Sequence, residues 1–398
     1  MTMTDGATPR QSRGLWKKCV AALMAIAVAG CQAVVPKSAP PPTPSTTAPP
    51  AVKKPGGPLP DDQARHRVAV LVPLTGPNAA VGTSIGNAAN LAALDTGGAN
   101  IRITLYDTAP GAAAAARRAV AEGNGLILGP LFSEDVSAVA PIARAAKVPV
   151  ISFSNDNAIS GDGVYLLGFS PDQSIDRVVT YAKSRGLVRI AALVPGGAYG
   201  RRVSTALIKS VEGAGSQVVT MQTYDRSPAA LAAAVKKLGP ASGYDAVLIA
   251  DNGRIALQAG PLVRKAAGSA PRLLGTELWN TEFALSKSPA MQGAWFASVS
   301  DTMYRSLSAK YRAQFGRPPY RLASLGYDAV LLAVRIGAAW KIGEPFPQKA
   351  LDDKGGFAGV DGAFRFGKDG IAQRALDVQQ VGTDGFTTVS PAPRGFGD

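Results

Sequence analysis

The stretch that decides the fold is RVAVLVPLTGPNAAVGTSIGNAANLAALDTGGANIRITLYD, residues 67–107. Aliphatic and β-branched residues over 68–72 predict a buried strand, and the Ala-rich segment 79–96 predicts a helix with Asn78 as its N-cap. A second β-branched run over 101–106 predicts another strand. The order strand, helix, strand is typical of a parallel sheet with helices on its faces.

The same alternation continues to the end of the chain in two blocks. Further helices are predicted at 112–122, 134–146, 172–185, 198–213, 229–238, 254–267, about 301–314 and about 322–341. Further strands are predicted at 126–128, 148–152, 189–194, 217–224, 245–250 and 272–274, with FAGVDGAFRF (357–366) as a hairpin. We therefore predict an α/β fold with two Rossmann-like lobes. Lobe 1 comprises 67–170 plus 301–345, and lobe 2 comprises 171–300 plus 346–392.

One octamer occurs almost twice, as GYDAVLIA (243–250) and GYDAVLLA (326–333). Asp251-Asn252-Gly253 follows the first copy and predicts the end of a strand. The second copy runs into VRIGAAWK, which continues a helical period. No flanking sequence repeats, so we interpret the similarity as coincidence and predict a strand and a helix.

The N-terminus has the pattern of an export signal. Basic residues precede the apolar run VAALMAIAV (20–28), which is too short to span a bilayer. Ala29-Gly30-Cys31 then looks like a bacterial lipobox, which predicts removal of 1–30 as a lipoprotein signal peptide and lipidation of Cys31. The alternative is an ordinary signal peptide with an incidental cysteine. The Pro-rich stretch that follows predicts an extended tether over 31–66, on the order of 100 Å long. Gln32 follows the cysteine, and lipoproteins that resemble this one in lacking Asp there usually go to the outer membrane, which is therefore the expected location, facing the periplasm.

Composition excludes several classes of function. The chain has two cysteines, and the mature chain would retain only Cys31, so neither a disulfide nor a cysteine nucleophile is expected. The predicted signal peptide holds four basic residues and one acidic residue, so the net charge falls by three on its removal, from +14 to about +11. This charge suits anionic lipids, cell-wall polymers or an acidic protein. An exported chain is not expected to bind nucleic acid, and no cofactor or metal site is predicted.

Two glycine-containing motifs are weighed against simpler interpretations. Gly82-Thr-Ser84-Ile-Gly86 matches the nucleophile elbow of hydrolases, but it lies within a predicted helix. The single histidine, His66, precedes the motif, so a Ser-His-Asp triad in the required order is excluded. The second motif, GGAYG (196–200), could hold an anion at a helix N-terminus, although a simple turn that requires glycine accounts for it equally.

Polar side chains follow several strands of the first lobe, at the edge where open α/β sheets bind ligands. They are Asn78, Ser133, Ser152, Ser154, Asn155 and Asp156. Each alone could be a helix cap. Together they predict a cleft for the carboxylate or hydroxyl group of a small polar ligand.

The segments LVPLTGPNAAVGTSIGNAANLA, GPLFSEDVSAVAPIARAAKVPVISFSND and AYG (198–200) resemble the type I periplasmic binding proteins of the leucine/isoleucine/valine group, over about 67–390. The tail VDGAFRFGKDGIAQRAL and the lipobox resemble the penicillin-binding protein activators, outer-membrane lipoproteins that stimulate peptidoglycan synthases. The resemblance implies a Venus-flytrap architecture with three crossovers between the lobes. It also implies that Ser133, Ser154 and Asn155 grip a ligand, and that Tyr199 and Asp251 close from the other lobe.

Two functions remain open. The first is a non-catalytic, lipid-anchored protein that binds and activates a bifunctional penicillin-binding protein. The alternative is a solute-binding receptor in ABC-type uptake of amino acids or a related small polar ligand. An enzyme is not expected, because the sequence offers neither a catalytic histidine nor a cysteine nucleophile.

Overall fold

The structure is a computed structural model that describes residues 64–98, 100–268 and 271–396 of the 398-residue chain. The predicted signal peptide, Cys31 and almost all of the predicted tether lie outside the described residues. His66, assigned above to the tether, instead begins the first strand and is buried, with its ring stacked on Trp340 at 3.8 Å. No helix in the described part of the chain is long and apolar enough to cross a membrane.

The first sheet has five parallel strands. Its strands are β1 (His66–Val72), β2 (Ile101–Asp107), β3 (Leu126–Leu128), β4 (Val150–Ser152) and β5 (Val164–Leu166), in the spatial order β2-β1-β3-β4-β5. The helices between them are α1 (Ala79–Asp95), α2 (Ala112–Ala121) and α3 (Ser133–Ala145). Every pairing within the sheet is parallel, which confirms the α/β fold.

The second sheet is larger and mixed. Its first five strands are β6 (Arg189–Pro195), β7 (Gln217–Tyr224), β8 (Ala246–Ile249), β9 (Arg272–Gly275) and β10 (Trp295–Ser298). The associated helices are α4 (Pro171–Ser184), α5 (Gly197–Ala214), α6 (Pro228–Lys237) and α7 (Gly253–Ala267). These strands pair in parallel. In contrast, β14 (Asp377–Gly382) pairs antiparallel with β10, and β15 (Gly385–Ser390) pairs antiparallel with β14. The spatial order is β15-β14-β10-β9-β8-β6-β7.

Between β10 and β14 the chain returns to the first lobe. The helices α8 (Thr302–Phe315) and α9 (Ala323–Gly337) contribute to the core of that lobe, and α9 packs along α1. A third, small sheet follows, with antiparallel strands β11 (Phe357–Gly359), β12 (Gly362–Phe366) and β13 (Ala372–Arg374). The chain therefore crosses between the lobes three times, after β5, after β10 and after β13.

The boundary predicted at residue 346 is wrong for the segment that contains this small sheet. Phe346, Phe357, Phe364 and Ala372 belong to the hydrophobic core of the first lobe, not of the second. The physical reason is that β5 lies at the edge of the first sheet, where its outer backbone groups have no neighbouring strand to pair with. The returning segment supplies a partner, because the Leu166 N–H donates to Gly370 O at 2.8 Å. Only β14 and β15 join the second sheet. The predicted hairpin itself is confirmed.

In each lobe, a glycine allows the helix after the first strand to pack closely against the end of that strand. Leu-Val-Pro occurs at the carboxyl end of both strands, with Pro73 directly after β1 and Pro195 as the last residue of β6, and the following helix approaches that end closely in each lobe. A Cβ on Gly82 would lie 1.8 Å from Pro73 O, and one on Gly200 would lie 1.7 Å from Pro195 O. The glycines of the apparent nucleophile elbow therefore serve packing. Ser84 is buried in α1, where its Oγ accepts the Tyr320 N–H at 2.9 Å.

The two copies of the octamer adopt different structures, as predicted. The first copy contains β8 and the second lies within α9. Their aspartates differ accordingly. Asp245 directly precedes β8 and forms an ion pair with Arg189 at 2.7 Å, whereas Asp328 is fully buried in α9.

Candidate functional site

A cavity of about 470 Å³ lies between the two lobes, at the carboxyl ends of their parallel strands. The first lobe contributes residues that follow β1, β3, β4 and β5, and the second contributes residues that follow β9 and β10. Pockets of this size, enclosed by two lobes at such strand ends, are where α/β proteins hold small ligands.

The wall from the first lobe is aromatic. Phe132 follows β3, Phe153 follows β4 and Phe169 follows β5, so three neighbouring strands each place one phenylalanine on the cavity. Val81 and Leu131 extend the same apolar surface. A ligand that fills this side must bury an apolar body against the rings, since a polar group there would lose its hydration without compensation.

The second lobe supplies the carboxylate of Glu277, which follows β9 and lines the cavity. The Ser174 hydroxyl donates a hydrogen bond to its Oε2, and the Tyr199 hydroxyl donates to Oε1 at 3.4 Å. Burial raises the pKa of Glu277 and also raises the pKa of Tyr199 well above its usual value. Two neutral donors thus hold this carboxyl group in place.

Two arginines lie on the side of the cavity where the chain crosses between lobes. Arg321, before α9, ion-pairs with Asp361 at 2.7 Å and with Asp301 at 3.3 Å, and its guanidinium lies 3.9 Å from the Tyr304 ring centroid. Arg374, at the end of β13, is only 8% exposed. Its Nη2 donates to Leu167 O at 2.6 Å.

A buried carboxyl group of α9 completes this charged cluster. Asp328 is fully buried and its Oδ1 accepts the Val360 N–H at 2.7 Å. Burial, and then the neighbouring Asp361 carboxylate, raise the pKa of Asp328 to about 7. Gly359 is required beside it, because a Cβ there would lie 2.3 to 2.6 Å from the carboxyl atoms of Asp328.

Of the eight residues predicted to line the cleft, the structure places Asn78 and Asn155 on the cavity wall. Asn78 occupies the N-cap position of α1, as predicted, but it is exposed and its side chain makes no capping hydrogen bond to the helix. Tyr199 reaches the site indirectly, through its hydrogen bond to Glu277.

The other five residues have local roles away from the cavity wall. Ser133 begins α3 and bonds Glu134, Ser152 Oγ donates to Pro130 O at 3.0 Å, and Ser154 Oγ accepts the Asp156 N–H at 3.2 Å. Asp156 forms an ion pair with Arg202 of α5 at 3.3 Å, which joins the two lobes outside the cavity. Asp251 is fully buried and accepts from Tyr224 and Arg226. These contacts assign the five residues to turns and interlobe packing.

Further cavity residues were not predicted from the sequence: Glu277, Arg321, Arg374 and the three phenylalanines. Phe132, Phe153 and Glu277 also follow predicted strands. The expectation that ligands bind at the carboxyl ends of strands, which identified Asn155, therefore applies to them as well. Only polar side chains were predicted to bind a ligand at the strand ends, so the aromatic ones were not identified. No local signal identified Arg374, because it reaches the cavity only through the return of β11–β13 to the first lobe.

A second, wider groove of about 1140 Å³ borders the same site on the outside. It lies along α4 and α5, includes exposed Arg201, and shares Gln173, Arg374 and Leu376 with the cavity. Among the described residues, no group of three or more His, Cys, Asp or Glu side chains is arranged to hold a metal ion.

Comparisons with known proteins agree with this architecture. The family model described as periplasmic binding protein matches residues 66–386. A putative branched-chain amino acid ABC transporter protein from Rhodospirillum rubrum is 22% identical, with a TM-score of 0.71 over 82% of this chain and 100% of that one. A solute-binding protein from R. palustris, solved with benzoate, is 20% identical, with a TM-score of 0.60 over 84% of this chain and 98% of that one.

Among curated proteins, an uncharacterized protein from Rickettsia prowazekii is 27% identical over 179 residues. The match spans 44% of this chain and 48% of that protein, so it covers about half of each.

Proposed function

Because the chain belongs to the periplasmic binding protein family, we propose that it binds a small organic ligand between its lobes, as a non-catalytic receptor. The observation that carries the proposal is the 470 Å³ cavity, with an aromatic wall from one lobe and a carboxyl group from the other. The similar solved structures include one in complex with benzoate and one described as a branched-chain amino acid transporter protein.

Calorimetric titration of residues 32–398 with L-leucine, L-phenylalanine and benzoate tests this proposal. We expect saturable 1:1 binding of at least one compound, abolished in Asn78→Trp, which places an indole on the cavity wall. Gln314→Trp is the matched control, because Gln314 is exposed on α8 and does not line the cavity. Absence of binding by all three compounds, or equal binding by the two variants, would contradict cleft binding.

A second candidate is regulation of peptidoglycan synthesis, in which the protein binds and activates a bifunctional penicillin-binding protein. It is supported by the lipobox at Cys31 and by the Pro-rich stretch after it, because an anchored module on a long tether can reach the cell wall. An outer-membrane anchor also favours it over uptake, which requires a receptor that shuttles to a permease of the inner membrane.

Glycan polymerisation and crosslinking by a purified bifunctional synthase from the same cell, with and without residues 32–398, test the second candidate. We expect a clear rate increase that persists in Asn155→Ala and Tyr199→Ala if the contact lies outside the cleft. No change at saturating protein would exclude activation of that synthase, and the ligand-binding proposal would stand alone.

A further inference from the structure

The end of the second lobe that lies away from the cavity is strongly basic. The parallel strands of this lobe direct their carboxyl ends toward the cavity, so strands β6 and β9 begin at the opposite end, and helices α4, α6 and α7 end there. We call this end the basic pole. Its basic residues are Lys183, Arg185, Arg189, Lys236, Lys237, Arg264, Lys265 and Arg272, against the acidic residues Glu212, Asp245 and Asp384.

Helix dipoles alone do not account for this charge. Basic residues are favourable in the last turn of any helix, but on the first lobe those at the ends of α2 and α3 are ion-paired, Arg118 with Glu122 at 2.7 Å and Arg144 with Asp162 at 3.3 Å. At the basic pole, no carboxylate of the described residues lies within ion-pair distance of the exposed Arg185, Lys236, Lys237 and Lys265. The pole therefore presents excess positive charge to its surroundings.

Three arginines of the basic pole border two depressions, of about 560 and 600 Å³, that share Arg272. The Arg272 guanidinium lies 4.4 Å from the centroid of the Trp295 ring. Arg185 borders the first depression, 5.0 Å from the centroid of the Tyr181 ring, and Arg264 borders the second. Burial, and then the charge of Arg272, lowers the pKa of Arg264, so these two cations repel each other. A phosphate group in either depression would relieve that repulsion and accept hydrogen bonds from the guanidinium groups.

An exposed aromatic side chain borders the basic pole. Phe283 is 64% exposed and stacks on Phe386, with 5.5 Å between the ring centroids. Phe386 is the second residue of β15 and follows the turn at Thr383 and Asp384, where Lys287 Nζ donates to Thr383 O at 3.4 Å. An exposed aromatic ring among basic residues is typical of surfaces that enter the headgroup region of a membrane.

From the charge, the depressions and the exposed ring, we infer that the basic pole docks on a membrane surface of anionic lipids, with headgroup phosphates at Arg185 and Arg272 and with Phe283 among the headgroups. The basic residues end helices on both faces of the sheet, so the charge covers the whole end of the lobe. This breadth fits an extended anionic surface better than a single polymer chain. The described chain begins on the first lobe, so the predicted anchor at Cys31 and the basic pole would attach different lobes to the membrane. The inference does not depend on a ligand in the cavity.

Vesicle sedimentation with residues 32–398, which lack the cysteine predicted to be lipidated, tests the docking surface. We expect at least about tenfold tighter binding to phosphatidylcholine vesicles with about 30% phosphatidylglycerol than to phosphatidylcholine alone. Raising NaCl from about 0.1 M to about 0.5 M should remove most of this binding, because salt screens the charges. Equal binding to the two kinds of vesicle would overturn the inference. Binding to purified peptidoglycan with none to anionic vesicles would assign the basic pole to the cell wall and overturn it as well.

Two quadruple variants with the same change in net charge locate the contact. The pole variant carries Arg185→Gln, Lys236→Gln, Lys237→Gln and Lys265→Gln. The control variant changes four exposed residues of the first lobe, as Arg305→Gln, Arg312→Gln, Arg317→Gln and Lys341→Gln. We expect the affinity for anionic vesicles to fall at least about tenfold in the pole variant and at most about threefold in the control. Equal losses would attribute the binding to net charge alone and refute the assignment to the pole.

A single substitution tests the aromatic part of the surface. Phe283→Ser should weaken binding to anionic vesicles by about threefold or more, because it removes the ring that enters the headgroup region. Leu94→Ser is the matched control, since Leu94 is 70% exposed on α1 of the first lobe. Equal affinities of these two variants would overturn the placement of Phe283 among the headgroups. Thermal melts establish that each variant is folded, and the wild-type comparison of vesicles requires no variant.

Discussion

Replacing Asp361 with asparagine should destabilise the first lobe far more than the same replacement at Asp162. Asp361 is 0% exposed and its Oδ1 lies 2.7 Å from Arg321 Nη1. The amide removes a negative charge that faces buried Arg321 and Arg374, and leaves Arg321 with Asp301 at 3.3 Å as its remaining ion-pair partner among the described residues. Breaking a buried ion pair by removing one partner costs about 3–5 kcal/mol of unfolding free energy.

The matched control is also an aspartate paired with an arginine. Asp162 lies 3.3 Å from Arg144, but its side chain is 81% exposed. Its φ of 49° is in the left-handed region, which asparagine tolerates, so Asp162→Asn introduces no backbone strain. Exposed pairs contribute about 0–1 kcal/mol, so the control should be almost as stable as the wild type.

Urea denaturation of both variants, followed by tryptophan fluorescence and circular dichroism, gives the two free energies of unfolding. The expected result is a loss of several kcal/mol in Asp361→Asn only. A loss below about 1 kcal/mol in Asp361→Asn would show that the buried charges are solvated or rearranged, and would refute the role given to the cluster.

Three further predictions follow from other parts of the chain. As the pH rises from about 4 to about 7, Asp328→Asn should gain stability relative to the wild type in urea denaturation. The raised pKa means that the folded wild type retains a proton that the unfolded chain has lost, so wild-type stability falls as pH rises through this window. An unchanged difference across that window would contradict the raised pKa. Gly82→Ala and Gly200→Ala should each lose about 1–3 kcal/mol because their Cβ atoms would meet backbone carbonyls. Gly213→Ala, exposed and without neighbours within 4 Å, should gain up to about 1 kcal/mol; thermal melts that failed to separate it from the other two would contradict the packing argument. Cys31→Ser should move the protein from the membrane to the soluble fraction of the envelope, and retention in the membrane would argue against the lipobox.

Much of the fold was predictable because its determinants are local. The alternation of β-branched and Ala-rich segments predicts most helices and strands to within a few residues. It even separates the two copies of the octamer, because the residues after each copy differ. Strands β5 and β10 were missed, since three or four buried residues carry too little periodicity to identify a strand.

The placement of the small C-terminal sheet could not be predicted in the same way. Its strands alternate apolar and polar residues, and such a pattern fits any exposed apolar surface or sheet edge. The choice of the first lobe depends on the free edge of β5 and on the surface of α9, which are distant in sequence. The position of Arg374 in the candidate site could not be predicted for the same reason, because Arg374 belongs to this sheet. Phe132 and Glu277, in contrast, obey the strand-end rule and were missed only because polar side chains were sought on the first lobe.

The three connections between the lobes also form part of the cavity wall. The first contributes Phe169 and Ser170, the second begins with Ser298 and Val299, and the third contributes Arg374 and Leu376. A ligand in the cavity therefore contacts the segments about which one lobe would rotate against the other. The residues that contact a ligand are therefore the same residues that set the angle between the lobes. A ligand then binds conformations of different lobe angle with different affinities. This difference in binding free energy is what can drive a signal to a partner.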